Sequence, residues 1–244
     1  MPSFFAQDLA LDSTTIQLDD DEARHALKVR RLKDGDQVSL INGDGLRATG
    51  TLKVGAQGAA LVEVLLNQVV RVEQTSHRLI VASALPKGDR TRFLIEMLTQ
   101  LGVWQFIPLE CDRSVQKAST SLLNKIRRYA IEACKQSDNP WLPFIHSPVR
   151  VSALRNTLSA HHNGSHQEVG LLYCDATGDG LPAAFEKAGD ACAVIGPEGG
   201  FSSKELALLE QQGGKPISLA PWILRTETAG AAVAAQWQML ASQN

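Results

Sequence analysis

Ile195-Gly196-Pro197-Glu198-Gly199-Gly200-Phe201-Ser202, with Ile223-Leu224-Arg225-Thr226-Glu227-Thr228-Ala229 close behind it, decides how the C-terminal part of this chain is built. The apolar run Ala191 to Ile195 reads as a buried strand, and the proline and three glycines after it make a turn that bares the main chain. Ser202-Ser203-Lys204-Glu205 then has the spacing of a capping box opening a helix. Strand, bare loop and helix in succession are the unit of an open parallel sheet. Such a loop lets a ligand approach backbone N–H and C=O groups closely, although a G-x-x-G-G turn alone serves equally well as an unliganded connection.

The pattern differs from the common nucleotide loops. A dinucleotide fingerprint has G-x-G-x-x-G, a carboxylate about 20 residues on and further strands beyond. Here Leu219-Ala220-Pro221 stands at that distance, near the end of the chain, and no G-x-x-x-x-G-K-[S/T] occurs. A second loop strengthens the ligand reading. Pro216-Ile217-Ser218-Leu219 reads as a final strand running into Ala220-Pro221-Trp222-Ile223-Leu224, which is expected to end beside the first loop.

The rest of the chain divides near residues 70–77. Before it, Thr14–Leu18, Gln37–Ile41, Leu46–Val54 and Ala59–Leu66 have strand patterning, Asn42-Gly43-Asp44-Gly45 supplies a turn, and Glu22–Val29 reads as a short helix behind the cap candidates Asp19-Asp20-Asp21. Beyond it strands alternate with helices. The expected strands are Leu79–Leu85, Val103–Leu109, Val169–Cys174, Ala191–Ile195 and Pro216–Leu219. The expected helices are Asp89–Leu101, Ala118–Gln136, Val151–Ala160, Ser203–Gln211 and Thr226–Ala241. A parallel sheet covered on both faces follows.

With 244 residues, 44% hydrophobic and 20% charged, the composition is that of an ordinary globular protein. The start of the chain has no basic and apolar leader pattern and no apolar run reaches membrane-spanning length, so a cytoplasmic location is expected. Cys111, Cys134, Cys174 and Cys192 form no C-x-x-C pair and read as reduced, buried small hydrophobes. His161-His162-Asn163-Gly164-Ser165-His166 lacks carboxylates or cysteines at ligand spacing, so no metal is expected. The net charge of −2 does not itself point to nucleic acid, but Arg24, His25, Lys28, Arg30, Arg31 and Lys33 crowd into ten residues. That run is either a solvated helix face or a phosphate-contact surface, which Lys87, Arg90 and Arg113 would extend.

Several motifs together resemble one family. Gly196-Pro197-Glu198-Gly199-Gly200-Phe201-Ser202, Ser218-Leu219 and Ile223-Leu224-Arg225-Thr226-Glu227-Thr228-Ala229 look like the C-terminal motifs of the bacterial 16S ribosomal RNA (uridine-N3) methyltransferase E family, of the SPOUT class. His25 to Asp36, Lys87-Gly88-Asp89-Arg90, Asp112-Arg113-Ser114 and Gln136-Ser137 follow its order along nearly the whole chain. The resemblance implies an α/β fold with a trefoil-knotted parallel-sheet methyltransferase domain over residues 73–244. It also implies a PUA-like RNA-binding β-barrel over 1–72, a homodimer, and 16S ribosomal RNA or the small ribosomal subunit as partner. The implied cofactor is S-adenosylmethionine, held by Leu171, Leu172, Tyr173, Gly196, Pro197, Glu198, Gly199, Gly200, Ser218, Leu219, Ala220, Ile223, Leu224 and Thr226.

Methylating N3 of uridine requires removal of its proton and stabilisation of the charge that develops on the uracil oxygens. Arg225 suits the second task; Glu198, Glu227, Thr226 and Thr228 suit the first. Arg225, Glu198 and Thr228 are taken as the catalytic candidates. A structural alternative stands beside each, since Thr226 can act as a helix cap and Glu227 can complement the helix dipole. Trp222 is a candidate for base stacking, with packing as the default for Trp104 and Trp141. Met97, Gln100, Asn139 and Ala220 depart from the family's usual Lys, Glu, Arg and Gly. Methylation of a ribose 2′-oxygen, or a non-catalytic role in ribosome assembly, are the competing functions.

Overall fold

The computed structural model describes residues 1–55, 61–75, 77–161, 169–181 and 189–242. His162 to His166 of the histidine-containing loop, and Ala59 and Ala60 at the start of one expected strand, lie outside the described residues. The chain forms two compact units, Met1–Gln74 with Ile131–Leu142, and Thr75–Ala130 with Pro143–Asn244.

In the first unit, β1 (Ser3–Phe5), β2 (Thr15–Gln17), β3 (Gln37–Ile41), β4 (Leu46–Val54) and β5 (Val62–Arg71) form a sheet in the order β1-β3-β4-β5-β2. β1 runs parallel to β3, and the other pairs are antiparallel. Alternation along β4 turns Leu46, Ala48 and Leu52 inward, where they join Phe4, Val38, Leu40 and Val64 in one core. The sequence reading has no strand at Ser3–Phe5, because three residues are too few for a period to register. The expected helix begins earlier, as α1 (Asp20–Arg24), with Asp19 Oδ1 accepting the Glu22 N–H at 2.8 Å. It continues as a π turn, His25–Val29, rather than as α-helix.

Residues 131–142 complete this unit. The Trp141 indole N–H donates to the Val72 carbonyl at 3.1 Å and Gly45 N donates to the Pro140 carbonyl at 2.9 Å. A Cβ on Gly45, whose φ is +81°, would lie 2.3 Å from the Trp141 ring, so this turn needs glycine both for its backbone and for the close approach. Lys135, with its side chain only 6% exposed, donates to Glu22 Oε1 at 2.7 Å and to Glu132 Oε1 at 2.9 Å. A lysine so deeply placed needs both carboxylates to offset its lost hydration.

In the second unit, β6 (Leu79–Ala84), β7 (Gln105–Glu110), β8 (Phe144–Ile145), β9 (Val149–Arg150), β10 (Gly170–Gly180), β11 (Ala191–Ile195) and β12 (Lys215–Ser218) pair in parallel. Their order is β12-β10-β11-β6-β7-β8, with β9 also on β7. The central strands β6 and β11 are apolar but for Ser83, as burial on both faces requires, and all of their residues are buried. α4 (Leu154–His161) and α5 (Ser203–Gln211) contribute Leu154, Leu158 and Leu209 to the core formed with Ile80, Ala82, Cys192 and Val194. α2 (Asp89–Gln100) and α6 (Thr226–Ala241) pack together; a Cβ on Gly230 would lie 2.4 Å from Leu94 Cδ1. α3 (Thr120–Ser137) has its residues up to Ala130 in this unit and those from Ile131 in the first. All four cysteines are free, and burial pushes the thiols of Cys134 and Cys192 up to about 12.

The amino-terminal rim of the sheet is clamped by one ion pair. Asp190, just before β11, accepts from the Arg78 backbone N–H at 2.8 Å and from its guanidinium at 2.7 and 3.0 Å, while that guanidinium lies 3.8 Å over the Trp104 ring. The starts of three adjacent parallel strands are thereby tied together. Asp190→Ala leaves Arg78 unpaired, and chemical denaturation is expected to register a loss of about 3 kcal/mol; an unchanged midpoint would show that the clamp contributes nothing.

Candidate functional site

β11 ends at Ile195 and releases the glycine loop, while β12 ends at Ser218 and releases the second loop. These strands are not direct neighbours, as the sequence reading had expected, because β10 lies between them. Both loops nevertheless emerge at the carboxyl rim, where open parallel sheets bind ligands.

Thr226, at the first position of α6, donates its hydroxyl to the Gly196 carbonyl at 3.1 Å and so joins the two loops. Gln236, further along α6, holds the second loop through the Leu219 carbonyl at 3.0 Å. The glycine loop is fixed from its other side. Arg113 donates to the Gly199 carbonyl at 2.8 Å, so this candidate RNA contact supports the loop directly. Gly200 has φ +69°, a left-handed conformation that favours glycine.

The expected capping box is present. Ser202 Oγ accepts the Glu205 N–H at 3.3 Å and Glu205 Oε2 accepts the Ser202 N–H at 2.8 Å. It has an addition that local sequence does not reveal: Glu205 Oε1 accepts the Asp112 N–H at 2.9 Å, and Ser202 Oγ donates to Asp112 Oδ2 at 2.6 Å. One buried carboxylate therefore ties the loop after β7 to the exit of the glycine loop.

A cleft of about 210 Å³ opens beside the second loop. Ser218, Leu219, Ala220, Ile223 and Leu224 line it, as do Cys174, Asp175 and Ala176 from β10, together with Ile217, Trp222 and Ala229. Leu171, Leu172 and Tyr173 do not; they are buried within the sheet, and the Tyr173 hydroxyl points to Glu210 at 3.4 Å. Gly196 to Gly200 and Thr226 also lie outside the lining, and the Thr226–Gly196 hydrogen bond ties the glycine loop to the helix that follows the second loop. The lining residues that sequence reasoning missed as cofactor contacts are Cys174, Asp175, Ala176, Ile217 and Ala229, with Trp222 expected there only as a stacking residue. β10 runs past its expected end and shifts register between Cys174 and Asp179, which no local signal announces.

The candidate catalytic groups occupy different surroundings. Arg225 is exposed at the cap position of α6 and makes no ion pair among the described residues. Glu198 is paired with Arg90 at 2.9 Å, joining a carboxylate candidate to a candidate RNA contact. Thr228 is exposed on the first turn of α6, whereas Glu227 is buried and its Oε2 has no hydrogen-bond partner among the described residues. Trp222 and Ile223 are 81% and 95% exposed.

In the first unit, Arg24 at the end of α1, Lys28 on the π turn, and Arg30, Arg31 and Lys33 just after it are exposed, and Arg31 adopts φ +56°, unusual for a residue with a side chain. Burial, aided by nearby Lys135, lowers the His25 pKa, and the neutral ring accepts a hydrogen bond from Arg30 Nε at 3.2 Å. Lys87 is exposed at the turn before α2 in the second unit. Among the described residues no group of three or more His, Cys, Asp or Glu side chains is arranged to hold a metal, and no helix is long and apolar enough to cross a membrane.

Residues 73–238 match the family profile of an RNA methyltransferase domain, and residues 18–65 match that of an RNA methyltransferase PUA domain. The ribosomal RNA small subunit methyltransferase E of Mycobacterium tuberculosis is 30% identical over 236 residues, covering 93% of this chain and 87% of its own. The chain belongs to the ribosomal RNA small subunit methyltransferase E family. Its Rickettsia conorii member is 30% identical over 95% of this chain and 92% of its own. The family's crystal structure from Neisseria gonorrhoeae, bound to S-adenosyl methionine, superposes with a TM-score of 0.84 at 25% identity over 98% of both chains. The fold is that of the SPOUT methyltransferases of this family, a parallel-sheet α/β domain with an N-terminal PUA domain.

Glu205→Ala removes the acceptor for two backbone N–H groups at once. Unfolding measurements are expected to show a loss of about 2 kcal/mol, and a loss below about 0.5 kcal/mol would mean that water replaces it without penalty.

Proposed function

We propose that this protein transfers the methyl group of S-adenosylmethionine to N3 of a uridine in the decoding region of 16S ribosomal RNA. The observation that carries the reading is the Thr226–Gly196 hydrogen bond, which makes one support of two loops beside a cleft. The residues present fit the cofactor: Ile217, Leu219 and Leu224 give apolar walls, and Asp175 gives one carboxylate to face a cation. Bound there, S-adenosylmethionine supplies a methyl group already activated on a sulfonium. The Gonococcal relative, crystallised with S-adenosyl methionine, supports this reading.

The chain's own task is to orient the uracil and manage its proton. In this reading Arg225 stabilises negative charge on the uracil oxygens, while Glu198, steadied by Arg90, and Thr228 take up or relay the N3 proton. Gly196 to Gly200, Ser218 to Ala220, Ile223, Leu224 and Thr226 hold the donor, with Leu171 to Tyr173 supporting them from within the sheet. Residues 1–72 serve as the PUA-like RNA-binding domain and 73–244 as the trefoil-knotted catalytic domain of a cytoplasmic homodimer. The exposure of Trp222 and Ile223 supports self-association. Arg24 to Lys33, with Lys87, Arg90 and Arg113, face RNA phosphates.

The direct test is transfer of labelled methyl from S-adenosylmethionine to unmodified small subunits, followed by nucleoside mapping. N3-methyluridine is expected; a label on a ribose 2′-oxygen, or none, overturns the assignment. Arg225→Ala is expected to lower kcat by about 10²-fold while calorimetry finds cofactor affinity within about threefold of the parent. Normal turnover would remove Arg225 from the mechanism.

A further inference from the structure

We infer that Asp175 makes the cleft discriminate by charge, holding a sulfonium ligand more tightly than the neutral thioether that remains after methyl transfer. The inference rests on the reading that this cleft receives S-adenosylmethionine. It concerns something that reading leaves open, namely how the donor and its spent form are told apart when they differ by one methyl group and one unit of charge.

Asp175 is the one charged side chain among the described residues that line the cleft. Its setting is built by the backbone. Between Cys174 and Asp179 the β10–β12 ladder shifts register, so that Cys174 and Asp179 both face Ile217 and the residues between them leave the ladder. Gly178 permits this, because a Cβ there would lie 2.4 Å from the Ile217 nitrogen. The excursion sets Asp175 over the end of β12, where the second loop begins.

The carboxylate is also fixed in orientation. Its Oδ1 accepts from the Thr177 N–H at 2.8 Å and from the Thr177 hydroxyl at 2.6 Å. These bonds hold its pKa below the ordinary aspartate value, the hydroxyl bond being the larger cause, so it is ionised at neutral pH. Asp175 makes no salt bridge with a lysine or arginine among the described residues, and it is partly withdrawn from solvent. An anion of this kind in a largely neutral cleft attracts a cation placed within a few ångströms, and its partial exposure makes that attraction fall as salt rises. It attracts a sulfonium and is indifferent to a thioether, whereas the apolar walls treat the two alike. The spent cofactor then leaves the more readily of the two.

Calorimetric titration of the full chain with S-adenosylmethionine and, separately, with S-adenosylhomocysteine tests this in the parent and in Asp175→Asn. The asparagine keeps the Oδ1 acceptor for Thr177 and removes only the charge. The expected result is roughly tenfold weaker binding of S-adenosylmethionine with S-adenosylhomocysteine changed less than about twofold. Equal weakening of both ligands overturns the inference, since it places the carboxylate on a group they share, and so does no change in either. If neither ligand binds the parent protein, the cofactor reading fails together with the inference; if both bind and the substitution does not separate them, only the inference fails.

Discussion

The hydrogen bond from the Thr226 hydroxyl to the Gly196 carbonyl joins segments thirty positions apart in sequence, and the rest of the site is arranged around it. Gly196 leaves the sheet at the end of β11, and Thr226 begins the helix that follows the second loop. For the two to meet, β11 and β12 must end at one rim with β10 between them, and α6 must come close to α2. Gly230 makes that approach achievable, since even a methyl group there would collide with Leu94. Parallel register, a small residue at a helix contact and one hydroxyl thus act as a single constraint.

The opposite rim supplies the rigidity on which this depends. The Arg78–Asp190 pair under Trp104 fixes where three central strands begin, and their uniform burial leaves little freedom in where they end. Glu205 then ties the glycine loop's exit to the loop after β7. At the carboxyl rim the carbonyls of Gly196, Gly199 and Leu219 are each held by a side-chain donor.

Much of this was legible in the sequence because the informative signals were local. The apolar run of β11, the Ser202–Glu205 box and the Asp19 cap each depend on residues a few positions apart, and each forms. Strand order was not legible: nothing in Pro216 to Leu219 tells which strand lies next to it. The bulge that carries Asp175 into the cleft depends on the tertiary approach of Gly178 to Ile217, so the strand was expected to stop at Cys174. The return of residues 131–142 to the first unit likewise depends on distant packing, through Lys135 and Trp141, and no local signal marks the π turn at His25. Basic residues were easy to count but their roles were not. Nothing in the local sequence shows that Arg113 and Arg90, besides being candidate RNA contacts, are held on Gly199 and Glu198 of the glycine loop.

The central claim is that the two loops respond to the methyl donor as one unit. Hydrogen–deuterium exchange followed by mass spectrometry, with and without S-adenosylmethionine, measures this directly. The account predicts that amides of residues 196–201 and 218–226 gain protection together at the same donor concentration. Protection confined to the second loop, with the glycine loop exchanging as before, would contradict it.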